Sequence, residues 1–260
     1  MTRFQPFQLF LILLSGIVLL LIIGPLVGMI VATSPVQVFE STKDPEVQHS
    51  IGLTLWVSMA ATIFFAIGGI PLAYLLARKE FAAKKLVLGI IDLPIVIPHS
   101  AAGIAVLGAV SRDSYVGQLG SMIGLDFVGA PAGIALAMAF VSIPFLINAA
   151  RDGFAAVPVR LEQAALNLGA SPARVFFTIS LPLAWRSIVS GLILMFARGM
   201  SEFGAVVIVA YHPMITPVLI WERFGAFGLD NARPVAILFI LVSLIFFVLL
   251  RLLSRNKRDA

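Results

Sequence analysis

Arg198 and Glu202 stand four residues apart in a stretch, Ser187 to Tyr211, that carries no other charge. Within lipid, a lone arginine or carboxylate at a helix centre costs about 2.5–3.5 kcal/mol on insertion scales. At i, i+4 spacing the two can neutralise each other, with Ser201 on the same face. Arginine ahead of glutamate is the weaker order, so local pairing alone is an incomplete account. Two roles are open: a structural ion pair, or a pathway charge on Arg198 that favours anions as part of a gate.

Asp92 interrupts a second apolar stretch, Leu86 to Ser111. Pro94 and Pro98 follow it and remove two backbone donors, which predicts a kinked or locally unwound helix. A carboxylate is a poor ligand for an anion. Asp92, Pro94 and Pro98 are therefore assigned to a hinge, with Asp92 bound to freed amides or to a basic residue of the 78–85 loop. His99 lies one turn further in and could titrate. His49 and His212 are predicted on the outer side, so no metal site is expected.

Ser50, Thr54, Ser58 and Thr62 recur every four residues. Each such step drifts only about 40° around a helix, so they form a continuous hydroxyl stripe. Two uses are open here too. Ser58 and Thr62 could offer weak, transient donors along an anion path, or the stripe could bond back to i−4 carbonyls and serve close packing. Gly133 with Ala137, and Ala135 with Ala139, are small-residue pairs read as packing.

No catalytic residues are assigned. Gly199-Met-Ser201 is similar to the serine motif of rhomboid-type intramembrane proteases, but His212 ends the same predicted helix instead of arriving from a facing one. No G-x-x-x-x-G-K-[ST] phosphate loop occurs, so ATP is not bound through such a loop of this chain. Zero cysteines exclude disulfides, cysteine-ligated zinc and thiol nucleophiles.

The elements that position these residues are membrane spans. Hydrophobic residues make up 60% of the 260 and charged residues 12%, against about 45–50% and about 25% in soluble domains. Six stretches are apolar enough: Phe4 to Phe39, Val47 to Ala77, Leu86 to Ser111, Phe127 to Ala150, Ser187 to Tyr211 and Pro234 to Leu250. The last is short for a core about 30 Å thick, so Arg233 and Arg251 are expected to snorkel at its ends. The first exceeds the apolar run of a cleaved signal peptide and is read as a retained helix. Thirteen of the eighteen basic residues fall at the N-terminus, the 78–85 and 151–186 loops and the C-terminal tail. That bias predicts both termini in the cytoplasm, and the net charge of +5 then reports topology, with no nucleic-acid partner expected. The chain divides into 1–48 (first helix and outer segment), a core over 49–251, and a basic tail over 252–260.

Residues 151–186 form a cytoplasmic excursion with helix punctuation of its own. Pro158 suits a first helical turn, and Gly169 stands where a left-handed residue ends a helix. Ser171-Pro172 reads as N-cap and first-turn proline of a second short helix that stops near Pro182. Leu161, Ala165 and Leu168 form a small apolar stripe. On periodicity alone this is an amphipathic hairpin on its own bundle or on lipid, or a short helix for another protein to grip.

The string Glu162-Gln-Ala-Ala165, with Gly169 and Ile179-Ser-Leu181-Pro182 at their spacings, resembles the EAA loop of ABC importer permeases; Gln163 replaces the first alanine. The resemblance covers about residues 50 to 251 as a type I ABC transmembrane domain. It implies an all-α membrane protein of six transmembrane helices with a cytoplasmic coupling helix. Glu162, Ala164, Ala165, Leu168 and Gly169 would contact a separate ATP-hydrolysing subunit, which uses ATP and Mg; this chain would bind no cofactor. Gly89–His99 and Ala197–Ala205 are similar to permeases for tetrahedral oxyanions. Tyr211–Pro217 with Leu219–Phe224 is similar to the molybdate/tungstate branch. The implied setting is a multi-pass protein in a prokaryotic cell membrane: a homodimer with two ATPase subunits and an extracytoplasmic oxyanion-binding protein at loops 40–49, 112–130 and 212–231. Sulfate or thiosulfate is the alternative cargo, and an ion-gradient-driven anion transporter the alternative class.

Overall fold

The computed structural model describes residues 6–255; Arg3 and the last five residues of the basic tail lie outside the described residues. The described residues form helices and no strand. The first three helices are α1 (Pro6–Val31), α2 (Pro35–Lys43) and α3 (Pro45–Arg78). Ser34 closes a capping box with Gln37 and starts α2 as a separate helix, so the first span ends earlier than its apolar run. Asp44 caps α3 through the Glu46 amide.

The expected third span is two helices, α4 (Lys84–Val96) and α5 (His99–Val110), bent by 114° where they join. Pro94 stays inside α4, and the break falls at Ile97 and Pro98, where Pro98 precedes the first turn of α5. A short α6 (Tyr115–Met122) leads to α7 (Pro131–Ala156), which starts at a proline and runs six residues beyond the expected end. Among the described residues five helices are long and apolar enough to span a membrane, or six if the bent pair is one span.

The excursion holds α8 (Val159–Asn167) and α9 (Pro172–Val175). Gly169 adopts φ +89° and Ser171 accepts the Arg174 amide, as their sequence positions predict. The second helix does not stop at Pro182. It passes through a π turn (Phe176–Ser180) into α10 (Leu181–Met200), because the wide turn, closed by the Leu181 amide on the Phe176 carbonyl, makes room for the proline ring.

After α10 come α11 (Val206–Val209), α12 (Thr216–Phe227) and α13 (Leu229–Arg255). The expected fifth span to Tyr211 therefore ends eleven residues early. At 27 residues, about 40 Å, α13 is long enough to cross without help. The helix thus extends beyond the apolar run at both ends, and near its start Arg233 donates to the exposed Asp230 Oδ1 at 2.9 Å.

The bundle centres on α7, packed between α3 and α10. Small residues set the approach: a Cβ on Gly191 would stand 2.9 Å from the Ala149 methyl, and one on Gly153 would clash with Ser187. One end of the bundle carries α8. The other carries α2, α6 and α12, held in part by Arg223, which reaches Asp44 and Glu46 at 2.6 and 3.0 Å.

Candidate functional site

Two places gather the residues singled out from the sequence. The first lies at mid-depth. Gly199 packs on Met138 and Ser142, and Ser142 is about 16 Å along α7 from Pro131 and about 21 Å from Ala156 at 1.5 Å per residue. Here the chain leaves α10: Ser201 is its C-cap and is exposed, and Glu202 is already in the turn beyond. The i, i+4 pair forms, but across a helix end instead of along a helix face.

Glu202 is fully buried. Its Oε1 accepts the Ala205 amide at 2.8 Å, fixing the turn into α11. Its Oε2 stands 2.8 Å from Arg198 Nη2 and 3.1 Å from His99 Nδ1. No N–H is aligned on Oε2, so the Arg198 contact is electrostatic attraction more than a directed hydrogen bond. Arg198 Nη2 also lies 3.0 and 2.9 Å from the two ring nitrogens of His99. His99 opens α5, so the cluster joins two helix breaks. Gly204 packs on His99, and a Cβ on Gly103 would lie 2.8 Å from the Ala205 carbonyl.

Arg198 and His99 are not closed over: their side chains are 22% and 41% exposed. A guanidinium and an imidazole open at mid-depth, beside the exposed Ser201, are suited to meet water or an anion and poorly suited to lipid. Among the described residues no three His, Asp or Glu side chains gather as a metal site.

The hydroxyl stripe and the hinge residues lie elsewhere. Ser58 and Thr62 are buried, and their hydroxyls donate to the Thr54 and Ser58 carbonyls at 2.7 and 2.8 Å. In this conformation both hydroxyls are taken up by carbonyls of their own helix. Thr54 and Ser50 also turn inward, and Thr54 Oγ1 accepts the Thr216 amide at 2.8 Å, anchoring the start of α12. Asp92 meets neither the freed backbone amides nor a basic loop residue; it accepts from the side-chain amide of Asn148 in α7, Nδ2 to Oδ1, at 2.7 Å.

The second place is α8. Leu161, Ala164, Leu166, Leu168 and Gly169 are exposed, Leu168 by 88%, and Ala165 is half-buried. Glu162 faces the other way. It is 7% exposed and bound to Arg78 and Ser180. Arg78, Ser180, His99 and Asn148 had no sequence signal as partners, since each pairs with a residue at least 18 positions away.

Residues 69–259 match the family model described as binding-protein-dependent transport system inner membrane component. The molybdate/tungstate transport system permease protein WtpB of Thermococcus kodakarensis is 46% identical over 217 residues, 82% of this chain and 81% of that one. The molybdenum transport system permease protein ModB of Haemophilus influenzae is 36% identical over 215 residues, 80% and 94% of the two chains. The crystal structure of a bacterial alginate ABC importer bound to its periplasmic protein shares the fold, with TM-score 0.76 at 20% identity over 98% and 96% of the chains. The chain belongs to the binding-protein-dependent transport system inner membrane components, the multi-pass permease subunits of ABC importers.

Proposed function

We propose that this permease carries molybdate or tungstate into a prokaryotic cell. Its pathway is shared by two copies of the chain, a soluble oxyanion-binding protein delivers the cargo, and two ATPase subunits supply the energy. The observation that carries the substrate reading is 46% identity to a molybdate/tungstate permease over more than four-fifths of both chains. The open face of Arg198, His99 and Ser201 supports a path for anions at the two-fold axis, where a second copy would shield it from lipid.

The end that carries α8 lies in the cytoplasm on this reading, because the basic residues cluster there. The apolar, exposed face of α8 (Leu161, Leu168 and the small Ala164 and Ala165) is the surface that an ATPase groove would grip, and Gly169 ends that helix in a conformation other residues rarely adopt. ATP and Mg then belong to the partner, and α2, α6 and α12 face the binding protein.

The test is uptake into proteoliposomes holding the permease and its ATPase, with ATP inside and binding protein outside. Labelled molybdate should enter only with ATP, and tungstate should compete at comparable concentration while sulfate needs a large excess. Equal competition by sulfate moves the chain to the sulfate branch, and uptake indifferent to ATP refutes the importer reading. Leu168→Asp should abolish co-purification of the ATPase without loss of membrane insertion.

A further inference from the structure

Glu162 is the residue by which the loop's resemblance is recognised, yet it points away from any docking surface. Arg78 Nε donates to both of its oxygens at 3.0 and 3.1 Å, and Nη2 donates to Oε1 at 2.8 Å. The same Nη2 reaches the Val157 carbonyl at 2.9 Å, and Ser180 Oγ donates to Oε1 at 2.7 Å. Arg78 ends α3, Val157 caps α7, Glu162 sits in α8 and Ser180 closes the π turn that feeds α10. One carboxylate and one guanidinium thus tie four helices at a single node. Above it Tyr74, Phe154 and Phe176, from α3, α7 and the π turn, stack edge to face at 4.9 and 5.2 Å around Tyr74.

We propose that Glu162 and Arg78 form the strut that transmits movement of α8 to the membrane helices, so that both are positioning residues for coupling and neither is an ATPase contact. A nine-residue helix is too short to hold its place unaided, and α8 otherwise packs mainly on α9 and the π turn. Without the node it would swing on the segments at Val157–Pro158 and Leu168–Ala170, and a pull on α8 would be lost in that swing. With the node, α8 moves as one body with α3, α7 and α10, and α10 carries Arg198 at its far end. Arginine is required because its planar fork grips both carboxylate oxygens and Val157 together, which a lysine ammonium does not reproduce.

This inference rests on the reading of α8 as the helix gripped by the ATPase, and its test keeps the two apart. In proteoliposomes of the full transporter, Glu162→Gln and Arg78→Lys should still co-purify with the ATPase but show several-fold less uptake per ATP hydrolysed. The exchanged pair Arg78→Glu with Glu162→Arg should recover part of that ratio. The chain has no cysteine, so Asn167→Cys with Lys79→Cys gives a spin-label distance between α8 and α3 in a chain that keeps both strut residues. That distance should be the same in the nucleotide-free and ATP-bound states. A distance that changes with ATP overturns the strut even if Glu162→Gln fails to fold. Normal uptake per ATP in Glu162→Gln overturns it too, as does loss of the ATPase at an unchanged ratio, which makes Glu162 a docking contact. If instead Leu168→Asp retains the ATPase, the docking reading fails, and the label distance still judges the strut.

Discussion

Arg198 Nη2 and Glu202 Oε2 lie 2.8 Å apart across the end of α10, at a point where the chain has left the helix. The carboxylate does two tasks: one oxygen holds the turn into α11 through Ala205, and the other balances a cation at mid-depth. His99 brings the start of α5 to the same charge. Both broken helices are therefore fastened at one cluster, and the Arg198 and His99 side of the fastening is open.

The two roles of Arg198 separate in a double variant. Arg198→Met leaves Glu202 buried without its cation, and breaking such a pair costs about 3–5 kcal/mol. Adding Glu202→Gln removes the stranded charge and should restore most of the melting temperature in detergent. Transport should stay low in the double variant, because a neutral pair no longer offers an anion its charge. Recovery of uptake together with stability reduces the pair to a structural one.

Gly103 measures how tightly the two breaks are joined. A Cβ there would stand 2.8 Å from the Ala205 carbonyl oxygen and 2.9 Å from its Cα. Both are backbone atoms that cannot swing aside. Gly103→Ala should destabilise by about 1–3 kcal/mol through overpacking. Gly108, in the same helix, has nothing within 4 Å of its would-be Cβ. Gly108→Ala should therefore gain about 0.5–1 kcal/mol from helix propensity. Thermal melting of the two variants, opposite in sign, checks the contact between α5 and α11.

What was legible in the sequence follows the range of each interaction. Helix punctuation is local, so the Ser171 cap and the left-handed Gly169 were readable from neighbours alone. Apolar runs report where lipid is, not where hydrogen bonding stops. They overran α10 by eleven residues and joined α1 to a segment that Ser34 separates. The break at Pro98 was foreseen as a kink, but the depth of the bend depends on α11 packing against α5, which no local pattern carries. Glu162 shows the same limit at the site. Its place in a short helix is local, whereas its direction is set by Arg78, 84 positions earlier.

Acid should loosen the end that carries α12. The hydrogen bond from Arg223 holds the Asp44 carboxyl below its ordinary value, against a smaller opposing effect of burial. A carboxylate with a lowered folded pKa adds stability that is complete above the ordinary value of about 3.9 and is lost as pH falls through the folded one. The melting temperature of the parent should thus drop more steeply than that of Asp44→Asn as pH is taken from 5 towards 3. The difference should be small, since such partly exposed pairs contribute up to about 1 kcal/mol. Parallel curves for the two proteins remove Asp44 from the acid response.

The hydroxyl stripe divides in two: Ser50 and Thr54 meet Thr216 of α12, whereas Ser58 and Thr62 bond within their own helix. Thr54 Oγ1 receives the amide of Thr216, which is fully buried and begins α12, where helix donors have no partner of their own. Thr54→Val keeps the shape and leaves that amide unsatisfied, a loss of about 1–3 kcal/mol. Ser58 and Thr62 only bond carbonyls of their own helix, which the helix already employs. Ser58→Ala and Thr62→Val should therefore leave both melting temperature and uptake close to those of the parent. A collapse of uptake in either, with melting unchanged, would show that their hydroxyls turn into the pathway in another state of the transport cycle.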